Sequence, residues 1–386
     1  MTRVLELLVS LLIVFVLVIV VGVLLPSTGH IERSVEVSSP LRQVFDSINT
    51  FRRFPEWSAL RRIDPAAQMN FEGPESGPGA KVTWTSSVPK IGHGSLEIKT
   101  SEQDNKVVMA LDNPWSGENK TYTITLVPSE NGKTLKINWA YDAEYGWNLV
   151  WRYAGLYIHG DPATDIQINL NDIAAMLAAF PNVDYKDQKI DVVDVTAKPV
   201  LLVATKAHRS LDEVAEATDE AMKLIEAALK KTGLTAAGPR MTITTNWGDE
   251  DYAFSVAQPV DTTTFTMDKQ QYTIEAPTPK ASSTTGDEED TTTTFKPGEK
   301  DNDGMLVIDD KVRAALWYQG KALMTEYTGS PAALPLLRLM EKAYAETHGY
   351  HYAEMAEGRF WDELTSAPDA AEDQQTFKVY LPIQTQ

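Results

Sequence analysis

From Val4 to Pro26 the chain reads VLELLVSLLIVFVLVIVVGVLLP, apolar except at Glu6 and Ser10. A helix needs about 20 apolar residues to cross a hydrocarbon core about 30 Å thick, and this run supplies them. It outlasts the apolar region of a cleavable signal, about 7–15 residues, and the following PSTGH offers no small-x-small cleavage site. The pattern therefore predicts an uncleaved transmembrane anchor over residues 1–28. Glu6 falls near one end, within reach of the headgroups. Arg3 and the free amino terminus favour the cytoplasmic side, with Arg33 as the opposing charge beyond the span. In a bacterium this is a single-pass inner-membrane protein whose soluble part is periplasmic or otherwise extracytoplasmic.

After Thr28 the apolar period drops to two. HIERSVEV alternates, SSP opens a helix, and Leu41, Val44, Phe45 and Ile48 share one helical face. Short alternating runs follow: KVTWTSSV, GSLEIKT, KVVMALD, TYTITLVP and TLKINWAYD. Gly77-Pro78-Gly79, Gly92 to Gly94 and Asn131-Gly132 punctuate them, the last a hairpin signal. A long helix over Ala163 to Phe180 carries Ile166, Leu170, Ile173, Met176 and Leu177 at helical spacing. A sheet that folds around a final helix encloses apolar space. Trp84, Trp115 and Trp139 are placed to line or plug it.

A linker near Asp184 to Lys189 leads to DVVDVTAKPVLLVATKAH, read as a strand pair. In SLDEVAEATDEAMKLIEAALKKTGL, Ser210 and Glu213 form a capping box and Gly233 stops the helix. Leu211, Val214, Ala217, Ala221, Leu224, Ile225 and Leu229 make its apolar stripe. Strands MTITTN and YAFSVAQPV close this unit. Residues 261–303 then turn polar and Thr-rich, with 10 acids against 4 bases. TFTMDKQQYTIEA reads as one strand there and the rest as a solvated insertion. The first order then returns: KVRAALWYQGKALM as one strand, a helix from Ser330 with Pro331 at its first position, then GRFWDELTS and QTFKVYLPI. FSVAQPV and FKVYLPI share F-x-V-x-x-P-[VI], each the last strand of its copy, ended by a proline that cannot donate a ladder hydrogen bond. The fold expected is α+β: an anchor, a domain over 29–184 in which a sheet folds around a final helix, and a pseudo-twofold duplicated strand–helix–strand–strand domain over 189–386, with a groove between its halves.

Composition narrows the function. The 386 residues carry a net charge of −19, with 34 acids against 19 bases from Asp187 onward and 20 against 16 before it. Such a surface repels phosphate backbones, which argues against nucleic acid as a partner. There is no cysteine, which excludes disulfides, thiolate nucleophiles and cysteine-ligated zinc. No G-x-S-x-G elbow and no G-x-x-x-x-G-K-[ST] loop occurs. His348 and His351 straddle Gly349 without a nearby metal-ligand pattern, so no metal or other cofactor is expected.

ERSVEVSSPLRQVFDSINTFRRFPEWS, GPGAKVTWTSS, GHGSLEI and NGKTLKINWAYD resemble the START-like, polyketide-cyclase-like family (SRPBCC) over about His30 to Asp184. That resemblance implies a helix-grip fold with a deep apolar cavity for hydrophobic ligands. EWSAL stands where anchored members often carry a second tryptophan, a departure at the cavity mouth. From about Lys189 to Ile383 the duplicated order, AALWYQGKALM and the paired P-[VI] endings resemble the gyrase-inhibitor-like (GyrI-like) effector-binding domain. That resemblance implies a groove for amphipathic, often cationic molecules, lined by aromatics around a buried acid. Lys378 stands where the acid before the last strand's tyrosine is usual, and the insertion is unusually long; both count against a cationic ligand.

Candidate ligand residues are aromatics and an acid of the second copy. Trp317 and Tyr318, adjacent on one strand, should point to opposite faces. Phe360, Trp361 and Glu363 share another strand, with Tyr380 on the last. An acid beside Trp and Tyr is what a cation–π cage needs. Trp247 and Tyr252 are the counterparts in the first copy. The function read from these features is binding, without catalysis, of a small amphipathic or hydrophobic molecule. The alternatives are a hydrolase or cyclase with a buried carboxylate as general base, and a peptide- or protein-binding module.

Overall fold

The computed structural model describes residues 2–248, 250–278, 295–352 and 360–384. The chain divides into two compact units, 1–186 with 346–349, and 187–345 with 350–386. Both are mixed α/β with antiparallel sheets.

The first unit runs α1 (Thr2–Leu24), β1 (Thr28–Val37), α2 (Leu41–Ile48), α3 (Phe54–Trp57), α4 (Ala59–Ile63), β2 (Gln68–Glu72), β3 (Lys81–Thr85), β4 (His93–Glu102), β5 (Lys106–Asp112), β6 (Glu118–Pro128), β7 (Leu135–Glu144), α5 (Leu149–Gly155) and α6 (Asp161–Ala179). Among the described residues, α1 is the one helix long and apolar enough to cross a membrane. The seven strands form one sheet in the order β1-β7-β6-β5-β4-β3-β2. Burial alternates along β5, β6 and β7, so one face is apolar. That face packs on α6 through Ile166, Leu170, Ile173 and Leu177, and Val44, Phe45 and Ile48 of α2 join the same core. The opening of α2 differs from expectation: Pro40 holds the N-cap position and no side chain caps it. The short helices α3, α4 and α5 are too brief to leave a periodic signal.

The second unit runs β8 (Ile190–Val195), β9 (Lys198–His208), α7 (Leu211–Thr232), β10 (Met241–Trp247), β11 (Asp251–Pro259), β12 (Thr264–Met267), β13 (Gln270–Thr273), β14 (Leu306–Val307), β15 (Val312–Trp317), β16 (Gly320–Thr328), α8 (Leu334–His348), β17 (Trp361–Leu364) and β18 (Thr376–Ile383). Nine strands form one sheet, β14-β15-β9-β11-β10-β17-β18-β16-β8. The middle of the sheet pairs Met241 with Glu363, Thr242 with Asp362 and Ile243 with Trp361. The outer pairs are crossed: β8 pairs with β16, and β15 with β9.

Several expectations change here. KVRAALWYQGKALM is two strands, not one, broken at Tyr318-Gln319. TFTMDKQQYTIEA is a hairpin: Asp268 and Lys269 both take positive φ, 51° and 67°, as a two-residue turn between β12 and β13 requires. Phe265, Met267 and Ile274 are buried with α7, so this part of the polar insertion belongs to the core. Most of TPKASSTTGDEEDTTTTF lies outside the described residues. In α7, Ser210 accepts from the Glu213 backbone N–H and Gly233 ends the helix at φ 73°. Its buried stripe is narrower than expected, Ala221, Ile225 and Ala228 with Thr218, while Leu211 and Leu224 are exposed. Pro331 begins a single tight turn ahead of α8. β11 ends at Pro259, whereas β18 runs one residue past Pro382.

Candidate ligand-binding site

The space between the sheet and α6 of the first unit is nearly full. Trp84, Trp115 and Trp139 all line the remaining cavity, which measures about 80 Å³. Trp57, Trp139 and Tyr122 fill the centre in edge-on contact, with ring centroids 5.8 and 5.2 Å apart. Small-molecule sites usually need about 300–1,000 Å³, so this space is too small for a lipid. The buried indole N–H groups of Trp57 and Trp139 find no acceptor among the described residues. Asp165 of α6 lines the same cavity. Burial pushes its carboxyl up to about 6, against the pull of Lys90.

A raised carboxylate stabilises the fold while protonated, below its unfolded value near 3.9, and that contribution is lost as pH rises through 6. Asp165→Asn should therefore leave stability at pH 4 almost unchanged. At pH 8 it should add about 1–2 kcal/mol, after allowance for partial exposure. Urea unfolding at the two pH values checks this; an identical pH slope in parent and variant would contradict it.

In the second unit, strand alternation separates two faces. Trp361, Glu363 and Tyr380 fall on the face away from the helices. Trp361 stacks on Tyr380 with centroids 4.6 Å apart and planes 7° from parallel. Trp317 and Tyr318 both meet Trp361, at 6.0 and 5.4 Å. The expectation that they point apart fails because β15 ends at Trp317. Tyr318 lies in the turn, where its hydroxyl donates to the Lys321 carbonyl at 2.5 Å. Glu363 accepts from Lys198 at 2.8 Å and from the Tyr380 hydroxyl at 3.4 Å. Five predicted residues thus assemble, but as a packed cluster whose acid already holds a lysine. Burial, then Glu363, pushes the Tyr380 hydroxyl above its usual range. Phe360 is not part of the cluster; its ring lies 5.7 Å from the Lys342 ammonium of α8.

Trp247 and Tyr252 lie on the helix face, edge to face at 4.8 Å. They border a groove of about 780 Å³ between the start of α7 and the start of α8. Its apolar walls include Leu211, Val214, Leu334, Leu336 and Phe377. Its floor carries Arg338 and Asp362, both buried and bonded to each other, with the Arg338 guanidinium 3.4 Å from the Tyr252 hydroxyl. Burial alone would lower the Arg338 value, but Asp362 and Tyr252 together raise it, so the guanidinium stays charged. Arg209 lies 4.2 Å over the Trp247 ring. Arg240 reaches the same groove half-buried, and its side chain makes no hydrogen bond or ion pair among the described residues. Burial lowers its pKa, with Asp219 the one acid pulling back.

The sequence reading missed these charged groups. Arg338 and Glu341 sit in a helix read only from its start at Ser330 and Pro331, and Leu337, Glu341 and Ala345 form its buried i, i+4 line. Glu341 is 0% exposed, and neither oxygen has a hydrogen bond of normal geometry among the described residues. Burial, then the Asp362 charge, drives it well above the usual carboxylate range, and Arg338 and the Thr325 backbone amide offset only part of that. Asp362 was legible by alternation, as the residue between Trp361 and Glu363 that must face the other way.

No family model matches the chain, and no curated protein does. Among solved structures, the C-terminal domain of EcmrR is 9% identical over 51% of this chain and 98% of its own, with a TM-score of 0.33. Norcoclaurine synthase from Thalictrum flavum is 13% identical over 39% of this chain and 87% of its own, with a TM-score of 0.32. A protein from Nitrosospira multiformis is 16% identical over 39% of this chain and 97% of its own, with a TM-score of 0.29.

Proposed function

We propose that this is a membrane-anchored binding protein, without catalysis, that takes a small amphipathic molecule bearing an acidic head in the groove between α7 and α8. The observation that carries the reading is the groove itself. Its volume falls in the range of small-molecule sites, its walls are apolar, and it holds the Arg240 guanidinium, which makes no hydrogen bond or ion pair among the described residues. An alkyl chain would bury against Leu211, Val214 and Leu336, and a carboxylate or phosphate would relieve the desolvated Arg240. Asp362 is tied to Arg338 and could act as a base only by giving up that pair.

In this reading α1 is the anchor and the first unit is a closed helix-grip domain of the START-like kind. The second unit is a duplicated βαββ domain of the GyrI-like kind. Register supports the duplication. Phe254 pairs with Thr205 and Pro259 with Val200; Phe377 pairs with Tyr327 and Pro382 with Ala322. Each strand thus keeps the same frame from its phenylalanine to its proline. In this reading a pseudo-twofold axis would pass through the central pairing of Thr242 with Asp362.

Calorimetric titration of the full chain with decanoate and with decyltrimethylammonium tests the proposal. Decanoate should bind more tightly, and Arg240→Gln should remove about 1.5–3 kcal/mol of that affinity, the worth of a charged hydrogen bond. A tighter ammonium ligand would overturn the acidic head, and no binding by either would overturn the groove.

A further inference from the structure

The segment from Trp147 to Tyr157 exposes apolar side chains that the groove does not use. Trp147 is 81% exposed, Val150 75%, Leu156 57% and Tyr157 77%. Val150 lies in α5 and the other three flank it, and the other side of α5 is fixed to the end of α1. Gly22 lets the two helices close up: a Cβ there would sit 3.1 Å from the Tyr153 ring and 3.4 Å from Leu149. The Tyr153 hydroxyl donates to the Val18 carbonyl at 2.7 Å. Arg152 is buried and donates to the carbonyls of Val23, Leu25 and Gly146 at 2.7, 3.2 and 2.8 Å. It thereby satisfies the carbonyls at the end of α1, and its guanidinium lies 5.3 Å over the Trp147 ring.

We propose that α5 and its flanks form a platform that lies in the headgroup layer of the bilayer crossed by α1. This rests on α1 being a membrane span. Val18 is six residues before the end of α1 at Leu24, or about 9 Å at about 1.5 Å per residue, so α5 runs beside the last two turns of that helix. An interfacial helix sinks about 5–10 Å into the boundary between headgroups and acyl chains, which matches that depth. The exposed set has the chemistry of this layer: Trp147 and Tyr157 each carry an apolar body with a polar tip, and Val150 and Leu156 carry none. The occupant is therefore a lipid surface, continuous with the one α1 already occupies. The platform fixes the first unit to the membrane by a second contact, instead of leaving it to swing on a single helix.

The test uses the full chain, which has no native cysteine to interfere. Single substitutions Val150→Cys, Tyr157→Cys, Phe15→Cys and Val127→Cys are spin-labelled and reconstituted in phosphatidylcholine vesicles, and collisions with oxygen and with a polar nickel chelate are measured. Val127 is the aqueous control, at the end of β6 opposite the one that meets β7 at Glu144. At 150 and 157 the nickel collisions should be several-fold lower than at 127, with oxygen collisions raised. Phe15 should read as bilayer interior. If Phe15 reads as water, the span itself fails and the platform with it. A lipid-immersed Phe15 with nickel-accessible 150 and 157 overturns the platform alone. Labels at 150 and 157 shielded from both reagents would show a protein on this face, a second copy or another chain, and would also overturn it.

Discussion

Arg338→Met should destabilise the second unit by about 3–5 kcal/mol, the usual cost of breaking a buried ion pair from one side. The reason is the residue left behind. Asp362 is buried and Arg338 is its charged partner, so removing the guanidinium strands a carboxylate in a low-dielectric site. Glu341 adds to the problem, since it too is buried and already disfavours ionisation. For a unit of this size each kcal/mol moves the melting midpoint by about 2–4 °C, so a fall of roughly 10 °C is expected. The loss should shrink at low pH, where Asp362 can take up a proton. Arg338→Met combined with Asp362→Leu should recover most of the stability, because an apolar pair of similar volume needs no partner. Thermal unfolding of the two variants decides it: a single variant as stable as the parent, or a double variant no better than the single, would refute the argument.

Trp361→Ala should cost about 3–5 kcal/mol, as for other fully buried tryptophans. The side chain is 1% exposed and is the common neighbour of Trp317, Tyr318 and Tyr380. Its removal opens a void that three separate aromatic rings border, and none can fill it without leaving its own contacts. The parallel stack on Tyr380 should also give a near-ultraviolet dichroism signal that disappears with it. Trp147→Ala, at an exposed position, should stay within about 0.5 kcal/mol of the parent and keep that signal. A loss below about 1 kcal/mol for Trp361→Ala would mean that the cluster is open and not packed.

Legibility followed period. Strands β5 to β7 alternate cleanly and α6 repeats its apolar residues every three or four positions, so both could be read without coordinates. The Asp268-Lys269 turn could not, because neither residue announces positive φ as glycine would. Tyr318 was misplaced because alternation holds only while a strand lasts, and β15 stops one residue earlier. The groove residues were hidden for a different reason. Arg338, and Glu341 on α8 outside the groove, are charges inside a fold, and polarity ordinarily signals surface. Their burial becomes plain only when α8 is laid on the sheet, over the Asp362 that strand alternation already turns away from Trp361 and Glu363. The aromatic cluster was singled out as ligand residues because an acid lies among its tryptophans and tyrosines, and the structure brings Trp317, Tyr318, Trp361 and Tyr380 into contact with one another.

The crossed outer strands carry a cost in time. Val195 of β8 pairs with Gly320 of β16, about 125 residues later in the chain. During synthesis at about 5–20 residues per second, that partner arrives roughly 6–25 s after β8. Until then β8 is an unpaired strand, and Asp191 and Asp194, set among its valines, give any stray neighbour a like-charged edge to avoid. The acidic spacing in this short segment thus guards the nascent chain during a wait that the topology itself imposes.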